Sequence, residues 1–219
     1  MSKISLSLFR RFSFSSAHMK RSTQDVNTAS SDFVFYSKRA MRILSEDAIA
    51  ELPTQAEVTI TTPCGSFDGV HIETGNVCAV SIIRSGDALL ESVRECLPGV
   101  TVGKILIQRN EESKEKEAKF YYSKMPPGIK DMYVLLCDPM LATGGSAKAA
   151  IKNLVDCHGV KTEKIIFANM ITCPEGLEAM SQEYPEVKIV TACIDECLNE
   201  DMYIVPGLGD YGDRFFNTM

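Results

Sequence analysis

The sequence predicts an α/β fold in which a mostly parallel sheet is flanked by helices. Three observations carry this. Continuous apolar runs such as VCAVSII and YVLLC suit strands buried on both faces. These runs alternate with segments of helical apolar spacing, and strand–helix alternation with right-handed crossovers builds a parallel sheet. At 219 residues, 45% hydrophobic and 24% charged, the chain has the length and composition of one such domain.

Taken in order, residues 32–53 (DFVFYSKRAMRILSEDAIAELP) place apolar side chains at helical spacing, with Pro53 as the stop. EVTITTP (57–63) alternates as a strand, and residues 65–75 supply turns. VCAVSII (77–83) is a buried strand, DALLESVRECL (87–97) a helix and KILIQR (104–109) a strand. The mixed charge run NEESKEKEAK (110–119) is a solvated loop or small arm. YVLLCD (133–138) is another buried strand, and SAKAAIKNLVDCHG (146–159) a helix closed at Gly159. KIIFANMIT (164–172), PEGLEAMSQEYP (174–185) and KIVTACI (188–194) follow as strand, helix and strand.

Residues 1–31 stand apart. They carry Lys3, Arg10, Arg11, Lys20 and Arg21 against Asp25 alone, a formal +4, which leaves −10 for the remainder of a chain at −6. Such an Arg- and Ser-rich segment reads either as a disordered leader or as an organellar transit peptide, with the domain proper at 32–219. The acidic remainder argues against a nucleic-acid partner. No run approaches the ~18 apolar residues of a bilayer span, so no membrane partner is expected. Eight cysteines include no CxxC pair, and His18, His71 and His158 lack metal-ligand spacing. Reduced thiols packed beside strands point to the cytoplasm, with a mitochondrion or other organelle as the alternative if the leader directs import.

The unusual residues fall where a parallel sheet binds ligands, beyond the carboxyl ends of its strands. YVLLC hands over to DPMLATGGSAKAA (138–150). A carboxylate at Asp138 can accept hydrogen bonds from two vicinal hydroxyls of a sugar. Gly144 and Gly145 let the backbone approach a ligand, and Thr143 and Ser146 add hydroxyls. The next helix offers N-terminal amides and the positive end of its dipole. Together these make a pocket for a terminal phosphate with an acid about one ribose away. A plain structural turn accounts for TGG alone, but far less readily for the whole combination. The Walker pattern GxxxxGK[ST] is absent, which disfavours nucleoside triphosphate hydrolysis. GLGDYG (207–212) satisfies GxGxxG, yet the seven residues after Gly212 leave no room for the helix and distant acid of a dinucleotide site. Such a loop can instead offer backbone N–H and C=O groups to a flat polar ring.

The strand, acid and Thr-Gly turn resemble the phosphoribosyltransferase signature, and Asp138-Pro139 in place of two adjacent acids resembles the uracil phosphoribosyltransferases. SIIRSGDALL (81–90), GKILIQRNEE (103–112) and TACIDECLNEDMYIVPGLGDYGDRFFNT (191–218) are similar to further blocks of that family. The likeness covers residues 32–219 and is strongest to eukaryotic and protist members. It implies a phosphoribosyltransferase-like fold with a C-terminal hood over the base, and the conversion of uracil and 5-phosphoribosyl 1-diphosphate to UMP and diphosphate. By the same resemblance Arg84 and Arg109 contact the diphosphate. Asp138, Pro139, Met140, Leu141, Ala142, Thr143, Gly144, Gly145 and Ser146 form the ribose-phosphate site. Asp138 and Asp210 are the catalytic acids, Asp210 acting through Mg2+. Ile204, Gly209, Asp210 and Tyr211 hold uracil, with Tyr211 at a place where bacterial members carry a small residue, which raises the question of pocket width. Asp195 either braces the base loop or forms a local turn.

The resemblance further implies a homodimer or homotetramer and, in some members, GTP as an activator. Two departures bear on this. The 110–119 run lacks the proline-containing pattern of the family's arm, and the Ser-rich leader does not match the helical segment that the family carries upstream of the Phe35 helix. The alternatives to an enzyme are an inactive homologue used in ligand sensing or assembly, against which the intact TGG and GLGD motifs speak, and an RNA-binding regulator, against which the acidic core speaks.

Overall fold

The structure is a computed structural model that describes residues 4–6, 14–53, 55–109 and 118–218, with the backbone alone at 4–6, 14–17, 55–57 and 109. In chain order it runs β1 (Ile4–Leu6), α1 (Phe14–Gln24), α2 (Ser30–Ala50), β2 (Gln55–Thr62), β3 (Gly65–His71), β4 (Val77–Ile83) and α3 (Gly86–Cys96). Then come β5 (Thr101–Arg109), β6 (Ala118–Lys124), β7 (Tyr133–Cys137), β8 (Met140–Leu141) and α4 (Gly145–Asp156). The chain closes with β9 (Ile165–Thr172), α5 (Pro174–Glu183), β10 (Lys188–Ile194), β11 (Cys197–Leu198), β12 (Ile204–Val205) and α6 (Tyr211–Phe216).

An eight-stranded sheet has the order β1-β10-β9-β7-β4-β5-β6, with β8 beside β9. Its pairings are parallel except that of β5 with β6. This is the mostly parallel α/β sheet that the apolar runs predict, and β4, β7 and β9 are buried almost throughout. Period-two alternation divides each strand between two cores. Val77, Ala79, Leu135, Cys137, Ile166, Ala168 and Val190 face one side with Phe33, Met41 and Leu44 of α2 and Leu89 of α3. Cys78, Val80, Ile82, Leu136, Phe167 and Ile189 face the other with Ala150, Ile151 and Leu154 of α4 and Met180 of α5. Each fully buried aliphatic side chain contributes about 1.5–3 kcal/mol relative to exposure.

Several expectations need correction. Residues 14–31 are not a leader outside the domain. α1 packs against α2, and Met19 and Thr23 on α1 are buried. It also supplies the helical segment upstream of Phe35 that the leader's composition does not predict. Its sequence, FSSAHMKRSTQ, lacks a wide apolar stripe, because polar contacts to the C-terminal region anchor it. Residues 65–71, expected as turns, form β3, an antiparallel hairpin with β2. Nearly every side chain of β3 is exposed, so no buried face announces it. Most of the charge run, residues 110–117, lies outside the described residues, and AKFYYSK (118–124) is strand β6.

Candidate active site

The sheet reverses its direction of growth between β4 and β7. From β4 the chain crosses through α3 to β5 on one side, and from β7 through α4 to β9 on the other. Neighbouring loops therefore part at the carboxyl ends of these two strands and leave a crevice. A cleft of about 380 Å³ opens there. The 138–146 loop contributes Asp138, Met140, Ala142 and Ser146 to its wall, and the C-terminal loop contributes Ile204, Gly209, Asp210, Tyr211 and Gly212. Arg84 and Ser85 close one flank, beyond β4. The two loops that the sequence singles out are thus brought together across the 57 residues between them.

Local chemistry explains how the first loop is held. Asp138 is buried, and its Oδ1 accepts from Ser85 Oγ at 3.3 Å and the Met140 N–H at 3.4 Å. The Pro139 carbonyl accepts from the N–H groups of Met170 (2.9 Å) and Ile171 (3.0 Å), and Thr172 Oγ1 donates to the Leu141 carbonyl at 2.9 Å. Pro139 and Leu141 are buried and, unlike Met140 and Ala142, do not line the cleft. These two anchor the loop to β9, while alternate residues face the ligand space. Gly144 takes φ 82°, a left-handed conformation that favours glycine, and turns the chain into α4. Apart from a long 3.4 Å contact from the Gly145 N–H to Thr143 Oγ1, no side chain caps the first turn of α4. Its amides and dipole end therefore remain available to an anion. Thr143, Gly144 and Gly145 shape this terminus without themselves lining the cleft.

Arg84 follows a cis peptide with Ile83. Its guanidinium donates to Thr218 Oγ1 at 3.0 Å and Asp213 Oδ1 at 2.5 Å, and lies over the Phe216 ring. The Thr218 hydroxyl and then Arg84 hold the Asp213 carboxyl below its usual pKa. The loop after β4 is pressed onto the sheet because Gly86 has no side chain: a Cβ there would lie 2.3 Å from the Cys137 carbonyl oxygen. Asp210 is exposed and caps α6, accepting from the Asp213 N–H at 2.9 Å. Of Arg109 only the backbone is described, at the end of β5, and Leu106, Ile107 and Gln108 of that strand reach the cleft.

Tyr211 answers the question of pocket width. Its ring packs against Phe33 and Phe215, its hydroxyl donates to the Met41 sulfur at 3.6 Å, and it is 1% exposed. What it has to offer the cleft is main chain. Of the two accounts of Asp195, the bracing one holds: its buried carboxylate accepts from the Gly207 N–H at 2.9 Å. Sequence reasoning missed Ser85, Gln108, Met202, Tyr203 and Gly212 as lining residues. Ser85, Gln108, Tyr203 and Gly212 adjoin the named positions Arg84, Arg109, Ile204 and Tyr211, which was the available signal.

Among known proteins, a sequence profile described as uracil phosphoribosyltransferase matches residues 15–218. The uracil phosphoribosyltransferase of Saccharomyces cerevisiae is 46% identical over 190 residues, covering 87% of this chain and 86% of the yeast protein. The solved structure of the AQ2163 protein from Aquifex aeolicus superposes with a TM-score of 0.83 at 29% identity, covering 98% of each chain. An adenine phosphoribosyltransferase from Trypanosoma brucei shares the fold, with a TM-score of 0.55 at 15% identity over 85% of this chain and 82% of that one. With a profile that runs through both cleft loops and a relative of this similarity over most of its length, the chain belongs to the uracil phosphoribosyltransferase family.

Proposed function

We propose that the protein is a pyrimidine-salvage enzyme that transfers the phosphoribosyl group of 5-phosphoribosyl 1-diphosphate to uracil, giving UMP and diphosphate. The observation that carries this is the convergence of the 138–146 and 204–212 loops on one cleft. N1 of uracil bonds to the anomeric carbon as diphosphate leaves with the electron pair, and the N1 proton is lost. An oxocarbenium-like state forms on the way, so the enzyme acts chiefly by positioning and electrostatics. The amides at the start of α4 hold the 5-phosphate, and Asp138 accepts from the ribose hydroxyls. Arg84, joined by Arg109, offers the diphosphate a planar, permanently charged donor. Main-chain groups of Ile204, Gly209 and Tyr211 read uracil.

Mg2+ suits this cleft. Asp138 and Asp210 offer hard carboxylate oxygens, and among the described residues no group of three or more His, Cys, Asp or Glu forms a protein-only cage. That donor set fits an ion retained mainly by the substrate's phosphates, whose charge it would neutralise, with Asp210 as its protein contact. The chain works as a homodimer or homotetramer: one face of the β2–β3 hairpin exposes Val58, Ile60 and Phe67, an apolar surface suited to a second copy. GTP acts as an activator of that assembly. All eight cysteines are free thiols, in keeping with a cytoplasmic location or a reducing organelle.

Purified protein with Mg2+, labelled uracil and 5-phosphoribosyl 1-diphosphate is expected to form UMP, and Asp210→Ala to lose most of that activity. No UMP at any GTP concentration would favour the inactive, ligand-sensing reading.

A further inference from the structure

Two buried ionic hubs join the N-terminal helix to the loop that ends in the cleft. The first is Asp195. Besides the Gly207 N–H, its carboxylate accepts from Lys20 Nζ at 2.9 Å, Gln24 Nε2 at 2.7 Å and Cys193 Sγ at 3.2 Å. Its side chain is fully buried, so those donors replace water around the charge, and loss of the Lys20 cation would leave it poorly compensated.

The second hub is Arg214, 7% exposed. Its Nη1 donates to the carbonyls of Thr23 (2.7 Å) and Leu208 (2.8 Å), and its Nη2 to the carbonyl of Asp25 at 2.7 Å. The guanidinium stacks 4.2 Å above the Phe33 ring. Thr23 lies in the last turn of α1 and Asp25 just beyond it. Arg214 therefore satisfies orphan carbonyls at the negative end of that helix dipole while gripping the C-terminal loop. Ser30 Oγ returns a bond to the Arg214 carbonyl at 3.2 Å.

The pinned groups on the loop are consecutive, the Gly207 N–H and the Leu208 C=O. The next residues, Gly209 and Asp210, line the cleft. Main-chain recognition tolerates little displacement of these atoms, because a hydrogen bond weakens steeply with distance and angle. We propose that α1 is a positioning element of the base subsite: Lys20 and Gln24 through Asp195, and Arg214 through its carbonyl bonds, set the register in which residues 209–211 meet uracil. The inference rests on the uracil reading of that loop and assigns α1 a part in it that no single side chain in the cleft supplies.

The test is the double variant Lys20→Met/Gln24→Leu in the full chain, with Gln24→Leu alone as the milder form should the double variant fold poorly. Steady-state kinetics are run alongside amide hydrogen exchange of residues 206–212. The expected result is a rise of about tenfold in the KM for uracil, the scale of one lost bond to a charged group. The KM for 5-phosphoribosyl 1-diphosphate and kcat stay within twofold, exchange in 206–212 quickens, and Lys20→Arg retains the wild-type KM. Unchanged uracil KM and exchange in the folded variants would overturn the proposal, as would an equal loss in every kinetic parameter, which marks a general stability effect. If the wild-type protein makes no UMP from uracil, the substrate assignment fails by itself, and exchange at 206–212 still decides whether α1 holds the loop.

Discussion

Asp138→Asn separates the catalytic from the structural account of the cleft. The contacts to this carboxylate from Ser85 Oγ (3.3 Å) and the Met140 N–H (3.4 Å) fall on Oδ1. They are long for hydrogen bonds and contribute little. An asparagine keeps the shape and an acceptor at that position, so stability should change by no more than about 1 kcal/mol, a Tm shift of a few degrees for a chain of this size. The ribose is affected differently. Two vicinal hydroxyls donate to a carboxylate, whereas an amide offers one acceptor and turns a donor toward the second hydroxyl. Losing one charge-assisted bond costs about 1.5–3 kcal/mol, or roughly 10- to 150-fold in kcat/KM. Thermal unfolding and initial rates of UMP formation, at varied 5-phosphoribosyl 1-diphosphate, measure the two effects separately. A folded variant with kcat/KM within twofold of wild type would refute the role given to Asp138.

Other outcomes follow from single contacts. Tyr211→Phe should leave the KM for uracil within twofold and cost about 1–2 kcal/mol in stability, since its hydroxyl interacts inside the core, with the Met41 sulfur and Ser37; a large rise in KM would mean that the phenol faces the base. Gly86→Ala forces a Cβ to within 2.3 Å of the Cys137 carbonyl. Overpacking of this kind costs about 1–3 kcal/mol, seen as a lowered Tm, together with weaker diphosphate binding as the Arg84 loop shifts; an unchanged Tm would contradict the close approach. Alkylation of the native protein followed by mass spectrometry should label the exposed Cys64, Cys157 and Cys197 and spare Cys78, Cys137, Cys173 and Cys193. Burial pushes the Cys78 thiol up to about 12 and the Cys193 thiol to about 11, so neither supplies thiolate near neutral pH.

The parts legible in the sequence are those whose signal is local. VCAVSII, YVLLC and IIFANMIT are apolar on both faces because helices cover both sides of the sheet, and that alone identifies a parallel core. DPMLATGGS is legible for the same reason, since acid, turn and helix start are contiguous. What was not legible depends on partners distant in the chain. α1 reads as a solvated leader because Lys20 and Gln24 are anchored by Asp195, 175 and 171 residues away, and Thr23 by Arg214. GSFDGVH reads as turn because β3 has no buried face. Gln108 reaches the cleft only through the pairing of β5 beside β4. The direction of the Tyr211 ring, into the core against Phe33, is likewise a tertiary fact.

The most direct measurement is a crystal structure of the protein with UMP. The phosphate should lie on the amides that open α4, the ribose hydroxyls on Asp138, and the uracil ring against main-chain groups of Ile204, Gly209 and Tyr211. A nucleotide bound with its base away from the 204–212 loop, or its phosphate away from residues 143–146, would contradict the account.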